Sequence, residues 1–266
     1  MLSTNIFCKW QRSFPIFSSL YIKATKFLLY GQKKLKNQLL KALSPELRQI
    51  LISHWKYTTL EQGTVLHRPS EPINAVYFPL SCLLSITITM SDGRTAETGL
   101  IGNRGVLGIN AFIDQQATTQ TEYVVQVAGE AVQLEAAVAY KLFQEHSELR
   151  KIILGYNQVF IAQISQTTAC NRLHSLEQRL ARWLLEAEDG LNTTYIPLTH
   201  RFVAEMLGVR RAGVTEAAQK LQKLGSIQYR HGNIQILDRT LLESAACECF
   251  RVAKNEYDRL LGPEEK

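Results

Sequence analysis

The sequence lacks the features of a membrane-spanning, disulfide-bonded or zinc-ribbon protein. Its 266 residues contain no run of about 18 apolar residues, so we predict no transmembrane helix and no membrane partner. The five cysteines are odd in number and form no Cys-x-x-Cys pair, which indicates neither a disulfide framework nor a zinc ribbon. A reducing cytoplasm is the compartment expected for such a chain.

The residue patterns of common enzymes are also missing. No GxxxxGK phosphate loop, nucleophile–histidine arrangement or metal-ligand constellation occurs, so we predict no enzyme, no metal site and no cofactor. Cys247 and Cys249 fall in a predicted helix, where side chains two residues apart point about 200° away from each other. We therefore interpret them as two buried or half-buried thiols, with a redox switch as the alternative.

Basic side chains concentrate in two stretches of a chain whose net charge is +6. Residues 1–35 contain six Lys or Arg and no acidic residue, and residues 197–239 contain seven basic against three acidic residues. A local basic excess is typical of a surface that binds phosphates. For residues 1–35 we predict a loosely ordered basic extension or translation begun upstream of the natural start, with a secretory signal as the alternative.

Residues 36–145 predict one compact domain of antiparallel strands. A short helix begins at Ser44-Pro45-Glu46, because Ser is a good N-cap and Pro suits the first helical position. Short apolar stretches then alternate with Gly, Pro and Asp turns, a pattern typical of a sandwich or barrel. The predicted strands are Tyr57–Leu60, Thr64–Leu66, Ala75–Pro79, Leu83–Met90, Ala96–Leu100, Tyr123–Ala128 and Ala131–Leu134.

Residues 146–190 predict a long helix and then a connecting helix. The apolar stripe from Leu149 to Thr167 is too wide for a free surface helix. We expect one side to pack on the β-domain and the other on the same helix of a second subunit. The capping box Ser175-Leu-Glu-Gln178 begins the connecting helix, Leu176 to Leu185, and residues 189–194 form a link. The predicted dimer contacts are Ile152, Tyr156, Phe160, Gln163 and Thr167.

Residues 191–239 predict a winged helix-turn-helix. Thr199 is a suitable N-cap, two short amphipathic helices meet at Gly208, and Gly225 ends the second. This spacing is typical of a helix-turn-helix, although an ordinary helical hairpin is an alternative on spacing alone. A hairpin over Ile227–Leu237 follows as the wing. In residues 240–266, Thr240-Leu-Leu-Glu243 predicts a capping box that opens a helix through about Leu261.

The second helix of this unit begins with two arginines and is expected to enter the major groove of DNA. Arg211 is the predicted base contact, since Arg to guanine is the commonest specific pairing, and Arg210 contacts a base or a phosphate. The predicted DNA-contacting residues are Thr199, His200, Arg210, Arg211, Gly213, Thr215, Lys220, Arg230 and His231.

This order of elements resembles the Crp/Fnr family of dimeric bacterial transcription regulators. The segment Leu198–Leu237 and the pattern Gly102-Asn-Arg-Gly105-Val-Leu-Gly108 carry the resemblance, which covers about residues 38–240. It implies an α+β fold in which a cyclic-nucleotide-binding-like antiparallel β-roll precedes a long dimerisation helix and a C-terminal winged helix-turn-helix. It also implies a homodimer with double-stranded DNA and RNA polymerase as partners.

The positions that hold the effector in this family are altered. Nucleotide-binding members carry a Gly-Glu pair for the ribose and an Arg-Ser or Arg-Thr pair for the phosphate. Here these positions read Gly108-Ile109 and Thr119-Gln120-Thr121, which removes the acceptor and the bidentate phosphate contact. We therefore predict that cAMP is not bound in the usual geometry. Only Cys8 lies where the oxygen-sensing branch keeps its cluster cysteines, so an iron–sulfur sensor is not expected either.

The sequence leaves open an effector other than a cyclic nucleotide. Arg104 could take an anion beside glycines that allow close backbone approach, and the alternative is that these glycines only shape strand corners. The candidate effector pocket is Gly102, Arg104, Gly105 and Gly108. We leave open a sensor of an unknown small molecule, a constitutive DNA binder, and an effector-binding module that acts through a protein partner.

Overall fold

The structure is a computed structural model that describes residues 35–230 and 232–262. The predicted basic extension, except for its last residue, and His231 lie outside the described residues. Within the described part of the chain, no helix combines the length and the apolar character needed to cross a membrane.

Two antiparallel sheets form the predicted β-roll. One has the strand order β1-β7-β3 and the other β2-β6-β4-β5. Side chains alternate between the interior and the surface, so that Val76 and Phe78 of β3 are buried while Tyr77 between them is half-buried. The bounds agree with the predicted strands to within two residues: β1 Lys56–Leu60, β2 Val65–His67, β3 Ala75–Pro79, β4 Leu83–Thr89, β5 Thr95–Ile101, β6 Glu122–Val127 and β7 Gly129–Glu135.

In the part of the chain that the structure describes, four short helices flank the roll: α1 Gln38–Lys41, α2 Pro45–Ile52, α3 Asn110–Ile113 and α4 Ala136–Glu145. Ser44 caps α2 as predicted, since its hydroxyl accepts the N–H of Leu47 at 3.3 Å. The backbone N–H of Ser44 in turn donates to Glu148 at 2.6 Å, which ties α2 to the helix that follows α4.

The long helix α5, Ser147–Leu173, and the connecting helix α6, Leu176–Leu191, meet at a break over residues 174 and 175. Both hydrogen bonds of the predicted Ser175–Gln178 capping box are present. The predicted end of α6 at Leu185 is wrong, and so is the link beginning at residue 189. The helix continues to Leu191, and its last turn contacts the roll: Gly190 packs closely on Gly102, and its carbonyl accepts the N–H of Asn103 at 3.0 Å.

Three of the five predicted dimer contacts on α5 are buried within the same chain. Tyr156 stacks on Phe160 with ring centroids 6.0 Å apart, and both rings fit against glycines of the roll. Gln163 accepts the hydroxyl of Tyr257 at 3.0 Å. The assignment of Tyr156, Phe160 and Gln163 to a subunit contact is therefore wrong, while Ile152 and Thr167 are half-buried.

The predicted helix-turn-helix and wing are confirmed. Thr199 caps α7, His200–Leu207, which ends at Gly208 in the left-handed conformation, and α8 follows as Arg211–Lys223. The wing strands are β9 Ile227–Arg230 and β10 Asn233–Ile236. Sequence reasoning missed a third strand, β8 Tyr195–Ile196, which pairs with β10. We call the unit from β8 to β10 the reader.

The reader is packed against the roll. Its apolar core is continuous with α6 and with Leu83, Leu100 and Val127 from the four-stranded sheet. In addition, α7 contacts β5, where a side chain at Gly208 would lie 3.3 Å from the Cβ of Ala96. The roll and the reader therefore share one buried interface.

The predicted single C-terminal helix is two helices, α9 Arg239–Ala245 and α10 Cys249–Leu261. The predicted cap at Thr240 is wrong because Asp238 caps α9, accepting the N–H of Leu241 at 3.0 Å. Ala246 is extended, with φ −77° and ψ 160°, and separates the two helices. Cys247 and Cys249 lie around this break, so the argument that set their thiols on opposite faces of one helix does not apply. Helix α10 packs along α5.

Candidate nucleic-acid interface

Two arginines occupy the N-terminal end of α8. Arg210 is the N-cap residue with extended backbone, Arg211 is the first helical residue, and both side chains are exposed. Among the described residues, neither guanidinium has an ion-pair partner. The partial positive charge of a helix N-terminus adds to that of the side chains. This end of α8 is thus suited to contact an anionic ligand.

An open groove lies between the starts of α7 and α8 and the wing. Its lining residues are Thr199, His200, Arg201, Phe202, Arg211, Tyr229 and Gly232, and we call it the reading groove. The fold thus brings together Thr199, Arg211 and the wing, as the sequence predicted. Arg201 was missed, although its place in the first turn after the cap residue Thr199 was a usable signal. Its side chain is exposed and 3.3 Å from Glu205.

His200 has an internal role instead of the predicted phosphate contact. Its side chain is only 7% exposed, its ring stacks on Tyr229 at 3.7 Å, and its Nδ1 lies 3.0 Å from the hydroxyl of Thr215. Burial lowers the pKa of His200, and the charge of Arg211 lowers it further. A neutral, stacked imidazole offers no charge to a phosphate, so His200 and Thr215 join α7, α8 and the wing.

The remaining predicted DNA contacts, Gly213, Lys220 and Arg230, lie in different surroundings. Gly213 lies where a side chain would be 3.0 Å from Leu176 of α6, so a glycine here allows α8 to pack closely on α6. Lys220 is exposed near the C-terminal end of α8, with Glu177 at 3.7 Å and Glu216 at 3.8 Å. Such exposed pairs contribute little, so Lys220 stays available to a phosphate. Arg230 is exposed at the end of β9.

The glycines of the candidate effector pocket allow other parts of the same chain to pack closely against them. A side chain at Gly102 would overlap the backbone of Gly190, and one at Gly105 would overlap the hydroxyl of Tyr156. Gly108 has a φ of 87°, a conformation that favours glycine. These contacts support the alternative in which the glycines shape strand corners.

Arg104 is also engaged internally. Its buried guanidinium lies 2.6 Å from Asp258 and 5.0 Å from the ring centre of Tyr257, both on α10. An anion would have to compete with Asp258 for Arg104, because the C-terminal helix already supplies its counter-charge. Gly102, Arg104 and Gly105 line a small cleft between the roll and α10.

Two family models match the chain. Residues 57–146 match the cyclic nucleotide-binding domain, and residues 178–245 match the Crp-like helix-turn-helix domain. The first match spans the roll, and the second spans most of α6, the reader and α9. A comparison with curated protein sequences gave no match.

Solved structures share the fold. FixK2 from Bradyrhizobium japonicum is 14% identical with a TM-score of 0.62, covering 73% of this chain and 98% of its own. A Crp/Fnr-family transcriptional regulator from Eubacterium rectale is 17% identical with a TM-score of 0.59, covering 78% and 96%. The c-di-GMP-responsive regulator CLP from Xanthomonas campestris is 15% identical with a TM-score of 0.59, covering 73% and 99%.

One family model accounts for the roll and the other for the connecting helix and the reader, and they follow one another in the order of the solved regulators. A cyclic nucleotide-binding β-roll, a long helix and a Crp-like helix-turn-helix in one chain define the family to which this chain belongs: it is a Crp/Fnr transcriptional regulator with a helix-turn-helix DNA-binding domain.

Proposed function

We propose that the chain acts as a homodimer that binds a pseudo-palindromic operator and does not respond to cAMP in the usual geometry. The observation that carries the proposal is the pair of exposed arginines at the start of α8 beside the reading groove, for which the described residues supply no ion-pair partner. Arg211 contacts a base edge, most simply guanine, which accepts two hydrogen bonds from one guanidinium. Arg210 contacts a base or the adjacent phosphate.

Phosphate contacts position the reader without specifying sequence. We assign them to Thr199 and Arg201 of the reading groove, to Lys220 on α8 and to Arg230 at the end of β9. Arg201 takes the role expected of His200, since its guanidinium is exposed whereas the imidazole is buried. Each phosphate neutralised by a basic side chain releases counterions and steepens the salt dependence of binding.

The dimer forms through the face of α5 that the chain leaves open. Exposed residues recur there at alternating spacings of four and three: Leu154, Gln158, Ile161, Ser165, Thr168 and Arg172. Leu154 is 47% and Ile161 56% exposed, which is unusual for apolar side chains in the middle of a helix. The spacing is that of a two-helix seam, so a second copy of α5 is the occupant we propose. Two readers would then address half-sites roughly 34 Å apart.

The altered nucleotide positions support independence from cAMP. Ile109 is a buried apolar side chain where an acceptor for the ribose would stand. The hydroxyls of Thr119 and Thr121 lie 2.9 Å apart and interact with each other, and no basic residue occurs between Asp114 and Glu122. A phosphate buried there would lack the charged donors that its desolvation demands. RNA polymerase as a partner and an unknown small-molecule effector stay proposals from the resemblance.

Selection from randomised DNA with the purified full-length chain tests the proposal. We expect a symmetric consensus whose half-sites lie one helical turn apart. Arg211→Ala should weaken binding by about 1–3 kcal/mol and relax the preference at one base pair per half-site. The matched control is Arg68→Ala, which removes an exposed arginine from the roll. An unchanged preference at every position of the Arg211→Ala consensus would refute the assigned base contact.

The alternative function, an effector-binding module that acts through a protein partner, predicts a different salt response. A DNA reader loses affinity steeply as salt rises, because counterion release drives its binding. Gel-shift titrations on the selected operator at several salt concentrations separate the two. A weak and salt-insensitive interaction would favour the protein-binding module.

A further inference from the structure

Three thiols and one imidazole converge at the end of α5. The Sγ atoms of Cys170, Cys247 and Cys249 and a ring nitrogen of His174 all lie within 4.8 Å of one another. The three cysteines are buried and His174 is half-buried. Cys170 and His174 come from the last turn and cap of α5, whereas Cys247 and Cys249 come from the break between α9 and α10. We call these four residues the thiol–imidazole cluster.

Two of the six distances between ligand atoms of the cluster are close to the edges of a zinc tetrahedron, and none of the six exceeds 4.8 Å. Cys170 and Cys247 have their Sγ atoms 3.5 Å apart, and the Sγ of Cys249 lies 3.5 Å from Nδ1 of His174. Zinc bonds of about 2.3 Å to sulfur and about 2.0 Å to nitrogen imply S···S edges of roughly 3.8 Å and S···N edges of roughly 3.5 Å. A disulfide bond, at about 2.05 Å, would be much shorter than the observed sulfur separation.

The surrounding groups suit a metal-bound imidazole. With Nδ1 facing Cys249, the opposite Nε2 of His174 lies 3.4 Å from a carboxylate oxygen of Glu248. Metal-ligating histidines commonly donate their second ring N–H to a carboxylate in this way, which fixes the tautomer and the ring orientation.

The surroundings also suit thiolates. The side-chain amide of Gln166 donates to Cys249 Sγ at 3.1 Å, and the buried guanidinium of Arg182 interacts electrostatically with both Cys170 and Cys247. A divalent cation with three thiolates carries one excess negative charge, and the nearby guanidinium of Arg182, which also pairs with Glu186 at 2.7 Å, is the adjacent positive charge. Hydrogen bonds and counter-charge of this kind are the usual support of a cysteine-ligated metal.

We propose that Cys170, His174, Cys247 and Cys249 bind one zinc ion in a closed, structural site. Three thiolates and one imidazole are an established ligand set for structural zinc, and four protein ligands leave no position open for a substrate. A multi-iron cluster fits less well, because its irons and sulfides stand between the cysteines and hold them further apart.

The site joins parts of the chain that are distant in sequence. It fixes the break between α9 and α10 to the end of α5, one residue before the cap of α6 at Ser175. The ion therefore holds α10 along α5 and sets the angle at which α6 and the reader leave the long helix. Metal binding free energy becomes folding free energy when the unfolded chain has no preformed site.

Metal analysis of the full-length chain, purified under reducing conditions without chelator, is the direct test. We expect about one zinc per chain by plasma mass spectrometry and no acid-labile sulfide. Replacement by Co²⁺ should give the intense visible bands and the sulfur-to-cobalt charge-transfer absorption of a tetrahedral thiolate site. No bound zinc after incubation with the free ion, a Cys170–Cys247 disulfide, or iron with sulfide would each overturn the proposal.

Variants then assign the ligands. Cys247→Ser and His174→Ala should lower the zinc content by more than tenfold, whereas His174→Cys should restore it as a four-thiolate site. The matched control is Cys82→Ser, which removes a buried thiol of the roll and should leave the zinc content unchanged. Equal zinc in the wild type and Cys247→Ser contradicts the assignment.

A stability measurement on the wild type does not depend on whether the variants fold. A zinc chelator should lower its melting temperature, and added zinc should restore it. A melting temperature that is indifferent to both would contradict a structural ion.

Discussion

A buried carboxyl group lies between the roll and the connecting helix. Glu97 of β5 accepts hydrogen bonds from the hydroxyl of Ser85 and, at 2.9 Å, from the indole N–H of Trp183 on α6. Glu186 and Arg182, also on α6, act on it electrostatically. Burial raises the pKa of Glu97 to about 7, an effect that the two hydrogen bonds only partly offset.

The raised pKa makes stability depend on pH with a definite sign. Glu97 is uncharged in the folded chain over a pH range in which it ionises in the unfolded chain, between its ordinary pKa of 4.5 and its raised pKa of about 7. The contribution of Glu97 to the free energy of unfolding is complete below pH 4.5 and is lost as the pH rises to about 7. At about 1.4 kcal/mol for each pH unit, the loss amounts to roughly 3 kcal/mol.

Glu97→Gln isolates this contribution. The amide can still accept the indole N–H of Trp183 and can donate to the hydroxyl of Ser85, but it does not ionise. We expect the free energy of unfolding of the variant to rise relative to that of the wild type by roughly 3 kcal/mol between about pH 4.5 and pH 7. Urea denaturation followed by circular dichroism, at one fixed protein concentration, measures the difference.

The control is Glu61→Gln, an exposed carboxyl group in the loop after β1. Its pH profile should stay parallel to that of the wild type. Parallel profiles for Glu97→Gln as well would show that Glu97 ionises equally in both states. A variant that loses stability relative to the wild type as pH rises would show that the carboxylate is stabilised where it lies, and the reasoning from burial would be refuted.

Three further predictions concern the dimer seam, the roll and the reader. Ile161→Glu places a charge in the proposed seam and should give a monomer by analytical ultracentrifugation, whereas Ile113→Glu, an equally apolar exposed site on the roll, should stay dimeric. Gly102→Ala should destabilise the chain by about 1–3 kcal/mol in urea denaturation, because its side chain would overlap the backbone of Gly190. Lys220→Ala should lower the salt slope of operator binding by about one without changing the consensus, since a phosphate contact carries no sequence information.

Features encoded by short-range patterns were predictable from sequence. Alternating burial and turn residues place all seven strands of the roll, and caps such as Ser44, Ser175 and Thr199 set helix starts, because capping hydrogen bonds reach only three residues. Gly208 ends α7 for an equally local reason, a positive φ of 64°. The arginine pair likewise follows from its position at the start of α8.

Features that depend on distant parts of the chain were not predictable from pattern alone. The wide apolar stripe of α5 indicated two packing partners, the roll and a second subunit. It did not show which residues of the stripe face which partner. Tyr156 and Gln163 are covered because the roll and Tyr257 of α10 lie against them. The thiol–imidazole cluster escaped for the same reason, since Cys170 and Cys247 are 77 positions apart. Contacts between residues so far apart in sequence are determined by the tertiary fold.

The shared interface between reader and roll has a consequence for the spacing of operators. Leu83, Leu100 and Val127 of the roll lie in the same apolar core as the reader. In the proposed dimer, each α8 is therefore held by the roll as part of one rigid frame. A base pair inserted between the half-sites would rotate one half-site away from the α8 that reads it. The reader could follow that half-site only by separating from the roll, which would expose apolar surface to water. Operators of this regulator should accordingly differ in half-site sequence far more readily than in spacer length.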